Sequence, residues 1–149
     1  LPVAEHALAG MQAYAGQMRV RLVLECEEGA RALSAAIDHD RLVQVLTNLL
    51  SNAIKFSPRG TTVTLALCEH ARGARLSVRD QGAGIPEAFQ ARVFQRFAQA
   101  DGADTRQKGG TGLGLSITKS LVEEHGGQIS FETAPGAGTV FRVDLPLCA

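Results

Sequence analysis

Three short stretches of this chain combine residue types that could do chemistry. The first is "DRLVQVLTNLLSNAIKFS", residues 40–57. At 100° per residue, Leu42, Val45, Leu46, Leu49, Ala53 and Phe56 share one apolar stripe, and Arg41, Gln44, Asn48, Asn52 and Lys55 share the opposite one. Asn48 and Asn52 are four apart, so their amides lie one turn apart on the same face. The stripe reads either as a solvated surface or as a site. An amide oxygen suits a hard cation such as Mg²⁺, and a nearby lysine suits a phosphate.

The second stretch is "LSVRDQGAGIP", residues 76–86. Asp80 has the parity of Leu76 and Val78, which aims it at the buried face of a sheet at a strand end. A carboxylate there needs a strong donor. Backbone amides of residues 82–84 would make it a turn cap. An exocyclic amino group of a flat ring, lying against Gly82 and Gly84, would make it the floor of a pocket. The third stretch is "GGTGLGLSI", residues 109–117. No lysine follows Gly114, so it is not a Walker A loop. Its G-x-G-x-G spacing after a long polar segment is not a dinucleotide fingerprint. It reads as a flexible connector or as a glycine-rich turn feeding a helix N-terminus, where free amides and the helix dipole favour an anion.

These stretches must be positioned by ordinary elements. The hydrophobic pattern predicts a helix over residues 2–18, with Val3, Ala7, Met11 and Ala15 on one side. A strand follows at 20–26, with Val20, Leu22, Leu24 and Cys26 alternating. After a loop at 27–37, Asp38 or Asp40 caps a helix over 41–56 that stops before Pro58 and Gly60. Strands carrying Val63, Leu65, Leu67 and then Leu76, Val78 form a hairpin turning at 71–74. Pro86 opens a short helix with Phe89, Val93 and Phe94. Residues 95–111 are a long polar, glycine-rich loop of the kind that is functional or mobile. A helix over 113–125 ends at Gly126-Gly127, and strands near 129–132 and 139–145 close the chain. This pattern predicts an α+β fold, a two-layer α/β sandwich. Its mixed, mostly antiparallel sheet has about five strands, covered on one face by about three helices. We expect a single domain over 1–149.

Composition bounds the function. The 149 residues are 45% hydrophobic and 20% charged, enough for an ordinary core. Fifteen basic residues balance fifteen acidic ones, which removes the usual electrostatic case for nucleic acid or an anionic membrane as partner. Three scattered cysteines show neither a disulfide framework nor metal-ligand spacing, as in a reducing cytosol. No apolar run approaches the ~20 residues that span a bilayer. The chain begins at Leu1 without a methionine, and we expect it to belong to a longer protein.

In this order, the segments resemble the ATP-binding catalytic domain of sensor histidine kinases, whose wider family includes DNA gyrase, a heat-shock chaperone and a mismatch-repair ATPase. "NLLSNAIKFS" is similar to the family's N box, "DQGAGI" to its G1 box, "VFQRF" to its F box and "GGTGLGLSI" to its G2 box. The closing "GTVFRVDLP" extends the likeness over nearly the whole chain. The resemblance implies the Bergerat-type ATP-binding fold, ATP and Mg²⁺ as ligands, and a lid at about 95–111. It implies that Asn52 ligates Mg²⁺, that Asn48 and Lys55 contact the phosphates, and that Phe56 lies near the nucleoside. Asp80 would bind the adenine amino group, with Thr139 helping through water. Thr139 shares the parity of Phe141 and Val143. Gly82 and Gly84 would shape the adenine pocket. Gly110, Thr111, Gly112, Leu113 and Gly114 would form the lid base at the phosphates, and Phe94 and Phe97 would anchor the lid.

The resemblance further implies transfer of the ATP γ-phosphoryl to a histidine on a dimerisation domain outside this chain. A response-regulator receiver domain would be the later partner. The setting would be cytoplasmic, whether or not the full-length protein is membrane-anchored elsewhere. His6 lacks the acidic neighbour of the family's acceptor motif, and His39, His70 and His125 fall in the wrong segments. The gyrase-like hydrolases place a glutamate where this chain has Asn48, and an amide is no useful general base. Two features depart from the family pattern. Gln95 stands where the F box carries an acidic residue, and Gln99 where some kinases place an arginine. An ATPase, a serine kinase or a non-catalytic nucleotide sensor on the same fold are the alternatives.

Overall fold

The computed structural model describes residues 2–27, 38–70, 73–82, 84, 114–134, 136 and 138–146. The element order is α1 (Pro2–Gly10), α2 (Gln12–Gln17), β1 (Arg21–Cys26), α3 (His39–Phe56), β2 (Thr62–His70), β3 (Gly73–Arg79), α4 (Gly114–Glu124), β4 (Gln128–Ala134) and β5 (Gly138–Pro146). The five strands form one sheet in the order β1-β2-β3-β5-β4. β1 and β2 run parallel, and every other pair is antiparallel. The expected α+β sandwich is therefore the observed one.

The parallel pair explains where α3 lies. Parallel neighbours cannot be joined by a tight turn, so the chain must cross over one face. α3 is that crossover, and it packs on β2 and β3 with α1 and α4 as helical neighbours. Side-chain alternation then divides the sheet. Val63, Leu65, Leu67, Ala74, Leu76, Val78, Phe141, Val143 and Leu145 are buried against the helices. They meet across the strands in register, Leu65 with Val78, Leu76 with Val143, and Val78 with Phe141. The outer face carries polar pairs, Arg75 to Asp144 at 2.6 Å and Arg142 to Glu132 at 3.1 Å.

α3 starts as expected at a capping aspartate. The Asp38 side chain accepts from the Arg41 amide at 3.1 Å, satisfying one of the helix's unpaired first donors. Its apolar surface is wider than one stripe. Leu50 and Ile54 are as deeply buried as Leu46 and Leu49, whereas Phe56 is 43% exposed. A helix flanked by a sheet and two other helices buries more than the single face that periodicity picks out.

The N-terminal helix is two pieces rather than one over 2–18. The Met11 amide bonds the Leu8 carbonyl at 3.1 Å, a three-residue step that tightens the turn. Gly10 stands just before the break, and glycine weakens a helix interior. Met11 is buried there, so the interruption keeps the apolar side of both pieces on the core. α4 ends at Glu124, just before the expected glycine pair: Gly126 has φ of +79°, and the Gly127 amide returns to the Val122 carbonyl at 3.0 Å.

The interior and the outer sheet face should respond differently to substitution. Leu46→Ala should cost about 2–5 kcal/mol in urea unfolding, because its buried site is hemmed in on all sides. Asp144→Asn should cost less than about 1 kcal/mol, because its ion pair is partly exposed.

Candidate functional site

Asp80 follows the last residue of β3. Its amide donates to the Thr139 carbonyl at 2.9 Å. Its Oδ1 accepts from the Thr139 amide at 3.2 Å and from the Gly82 amide at 2.9 Å. The turn-cap reading is therefore realised, but on one oxygen only. Among the described residues no donor reaches Oδ2. Among the described residues, the carboxylate thus has one oxygen that holds the turn and one that accepts no donor. Burial pushes the Asp80 pKa above the ordinary aspartate value, and the two backbone donors only partly counter it.

Two glycines let the backbone close around this carboxylate. A Cβ at Gly82 would lie 2.7 Å from the Phe56 carbonyl and 3.1 Å from Asp80 Oδ1. The C-terminal end of α3 is thereby pressed onto the turn after β3. Gly138 has φ of +81°, and a Cβ there would collide with the Asp80 carbonyl. Gly84 follows Gly82 in the same turn, half-buried. Thr139 is 5% exposed, and its hydroxyl lies 3.0 Å from that of Thr133. Parity had placed Thr139 with Phe141 and Val143, and it faces the helical side with them.

The polar stripe of α3 leads away from this point. Phe56, expected on the apolar stripe, is the exposed last residue of the helix, and Lys55, Asn52 and Asn48 of the polar stripe are half-buried. Asn48 is not part of a solvated face. Its Nδ2 donates 3.2 Å to the Oγ1 of Thr118 on α4, a residue with no exposed surface. Among the described residues no hydrogen-bond partner reaches the Asn52 amide. No group of three His, Cys, Asp or Glu that could hold a metal ion occurs among the described residues. A cation here would depend on an amide oxygen, ligand phosphates and water, the manner in which Mg²⁺ is commonly held.

Asn48, Asn52, Lys55, Phe56, Asp80, Gly82, Gly84 and Thr139 are thus carried by α3, the turn after β3 and the start of β5. Gly114 is the first residue of α4. Gly110, Thr111, Gly112, Leu113, Phe94, Phe97, Gln95 and Gln99 lie outside the described residues, as does the 95–111 segment. The expectation missed Thr118. Its signal was its spacing of three and four from Leu121 and Val122, which sets a hydroxyl on the buried face of α4.

Two measurements test the Asp80 geometry. Gly138→Ala should destabilise the domain by about 1–3 kcal/mol through its positive φ and the clash with Asp80. For the carboxylate itself, a raised folded-state pKa means that the native state binds more protons than the unfolded one just above pH 3.8. Stability should therefore fall as pH rises from 3.8 through the raised value. Asp80→Asn should remove that component of the pH dependence in urea unfolding.

Comparison with known proteins agrees with the fold. Residues 37–149 match the family described as histidine kinase-, DNA gyrase B- and HSP90-like ATPase. The chain is 43% identical over 144 residues to the circadian input-output histidine kinase CikA of Synechococcus elongatus, covering 97% of this chain and 19% of that protein. It is 45% identical over 118 residues to the sensor histidine kinase WalK of Bacillus subtilis, covering 78% of this chain and 19% of that protein. The chain thus spans about a fifth of the length of these relatives. Its fold superimposes on full-length ShkA in complex with AMPPNP with a TM-score of 0.84 and 27% identity, over 99% of this chain and 30% of that one. The nucleotide-free catalytic domain of histidine kinase ThkA gives 0.82 and 27%, over 97% of this chain and 90% of that one. With the Asp80 turn, the asparagine-bearing α3 and the mixed sheet in place, the chain belongs to the histidine kinase-, DNA gyrase B- and HSP90-like ATPase family and is similar to the catalytic domains of histidine kinases.

Proposed function

We propose that this domain binds Mg²⁺-ATP and supplies the γ-phosphoryl group to a histidine on a dimerisation domain of the same protein. The observation that carries the reading is Asp80, held through Oδ1 by two backbone amides while no donor among the described residues reaches Oδ2. That oxygen would accept the adenine amino group, with Thr139 assisting through water. The close approach of Gly82 to Phe56 would leave a flat slot for the ring, and Gly84 would extend it.

At the other end, Asn52 would take the Mg²⁺, which supplies charge neutralisation between phosphates. Asn48 and Lys55 would contact the phosphate oxygens. Gly110, Thr111, Gly112, Leu113 and Gly114 would bring backbone amides to them at the start of α4, beneath a lid at about 95–111. Phosphoryl transfer demands positioning and neutralisation more than covalent help. An imidazole nitrogen lone pair attacks the γ-phosphorus, the bond to the bridging oxygen breaks, and ADP leaves. The imidazole proton passes to a base beside the acceptor, outside this chain. Asn48 cannot activate water as a base would, which favours transfer over hydrolysis. A response-regulator receiver domain would then take the phosphoryl group. Neither nucleic acid nor direct membrane contact enters this scheme, and the setting would be cytoplasmic.

The test is to extend the chain to include the preceding helices of its parent protein and supply labelled ATP. Acid-labile, base-stable label on protein is the expected result. Tight nucleotide binding with no label would replace the kinase by a nucleotide sensor, and steady-state hydrolysis without label by an ATPase. Asn52→Ala should weaken Mg²⁺-dependent nucleotide binding by at least roughly tenfold and abolish labelling.

A further inference from the structure

The contact between Asn48 and Thr118 does more than pack two helices. An asparagine amide can turn about its last torsion and exchange its donor and acceptor ends. Its value as a phosphate contact depends on which end is presented. Thr118 stands against Asn48 with no exposed surface, one turn into α4. A helical threonine hydroxyl commonly donates to the carbonyl one turn back. What it then offers a neighbour is a lone pair. In the structure Asn48 Nδ2 donates to Thr118 Oγ1 at 3.2 Å, so the hydroxyl oxygen is the acceptor of this contact.

We propose that Thr118 is a positioning residue that fixes which end of the Asn48 amide faces the phosphate end of the nucleotide. Because Thr118 belongs to α4, the orientation of Asn48 depends on how α4 is seated. α4 begins at Gly114, where the glycine-rich stretch ends. α4 and the asparagine-bearing α3 are then linked by a side-chain hydrogen bond. The proposal rests on the reading that Asn48 contacts phosphate, and it assigns the residue that orients it.

The test compares two ligands that share adenine but not phosphates. Mg²⁺ with AMPPNP, a non-hydrolysable ATP analogue, reads both ends of the site, and adenosine reads only the Asp80 end. Thr118→Val keeps the shape and removes the hydroxyl. It should weaken AMPPNP binding roughly 3- to 10-fold, the size of one hydrogen bond, and leave the adenosine titration by NMR unchanged. Thr118→Ser should restore AMPPNP binding. In an Asn48→Ala background, Thr118→Val should have no further effect.

Equal losses for adenosine and AMPPNP would mean a general structural role and overturn the proposal. So would an undiminished Thr118→Val effect in the Asn48→Ala background. If Asn48→Ala weakens AMPPNP binding and Thr118→Val does not, the phosphate reading stands and the Thr118 proposal falls. If Asn48→Ala changes nothing, the phosphate reading itself fails.

Discussion

A half-buried carboxylate must be satisfied, and the way Asp80 is satisfied organises the rest of the site. Its backbone joins the end of β3 to the start of β5 through the Thr139 carbonyl. Its Oδ1 then collects the amides of Thr139 and Gly82. The oxygen that stabilises the turn is thereby occupied, and no donor among the described residues reaches Oδ2. Gly138 allows the β5 backbone to pass against the Asp80 carbonyl, and Gly82 allows the end of α3 to press on the turn. A side chain at either position would separate elements that the site needs in contact.

The second organising element is α3, whose two sides have different tasks. As the crossover between parallel β1 and β2, it is obliged to lie on the sheet. Its apolar surface, from Leu42 to Ile54, forms the middle of the core. That anchoring fixes where the polar stripe stands relative to the sheet. The side chains nearest α4 are not simply left to water. Asn48 is tied to Thr118, so the packing of the two helices and the orientation of a polar group are settled together. A helix that carries function on one face and the core on the other transmits small shifts from its neighbours directly to the site.

The fold was legible where local chemistry determines it. Alternation along 63–67, 76–78 and 139–145 identified strands and their inward residues, and Asp38 and Gly126 marked helix ends. Strand order was not legible, because β5 pairs with β3 across a long stretch of chain. Local pattern carries no information about which distant strand completes a sheet. The break at Met11 escaped notice because the apolar spacing continues through it. Leu50 and Ile54 were missed because periodicity finds one face, and α3 is enclosed by more than one. In the site, Asp80 left two readings open in sequence. The structure shows the turn cap on one oxygen, and the pocket reading concerns the other. Thr118 could not be read from its own segment, since its partner is a helix away in space and seventy residues away in sequence.

The central claim is that Asp80 Oδ2 reads the adenine amino group. The direct measurement is calorimetric affinity for Mg²⁺-ATP against the triphosphate of unsubstituted purine riboside, which differs by that amino group. The wild-type domain should prefer ATP by roughly 10- to 100-fold, the range for a hydrogen bond to a charged group. The preference should collapse in Asp80→Asn. Equal affinity of the wild-type domain for the two nucleotides would contradict the account.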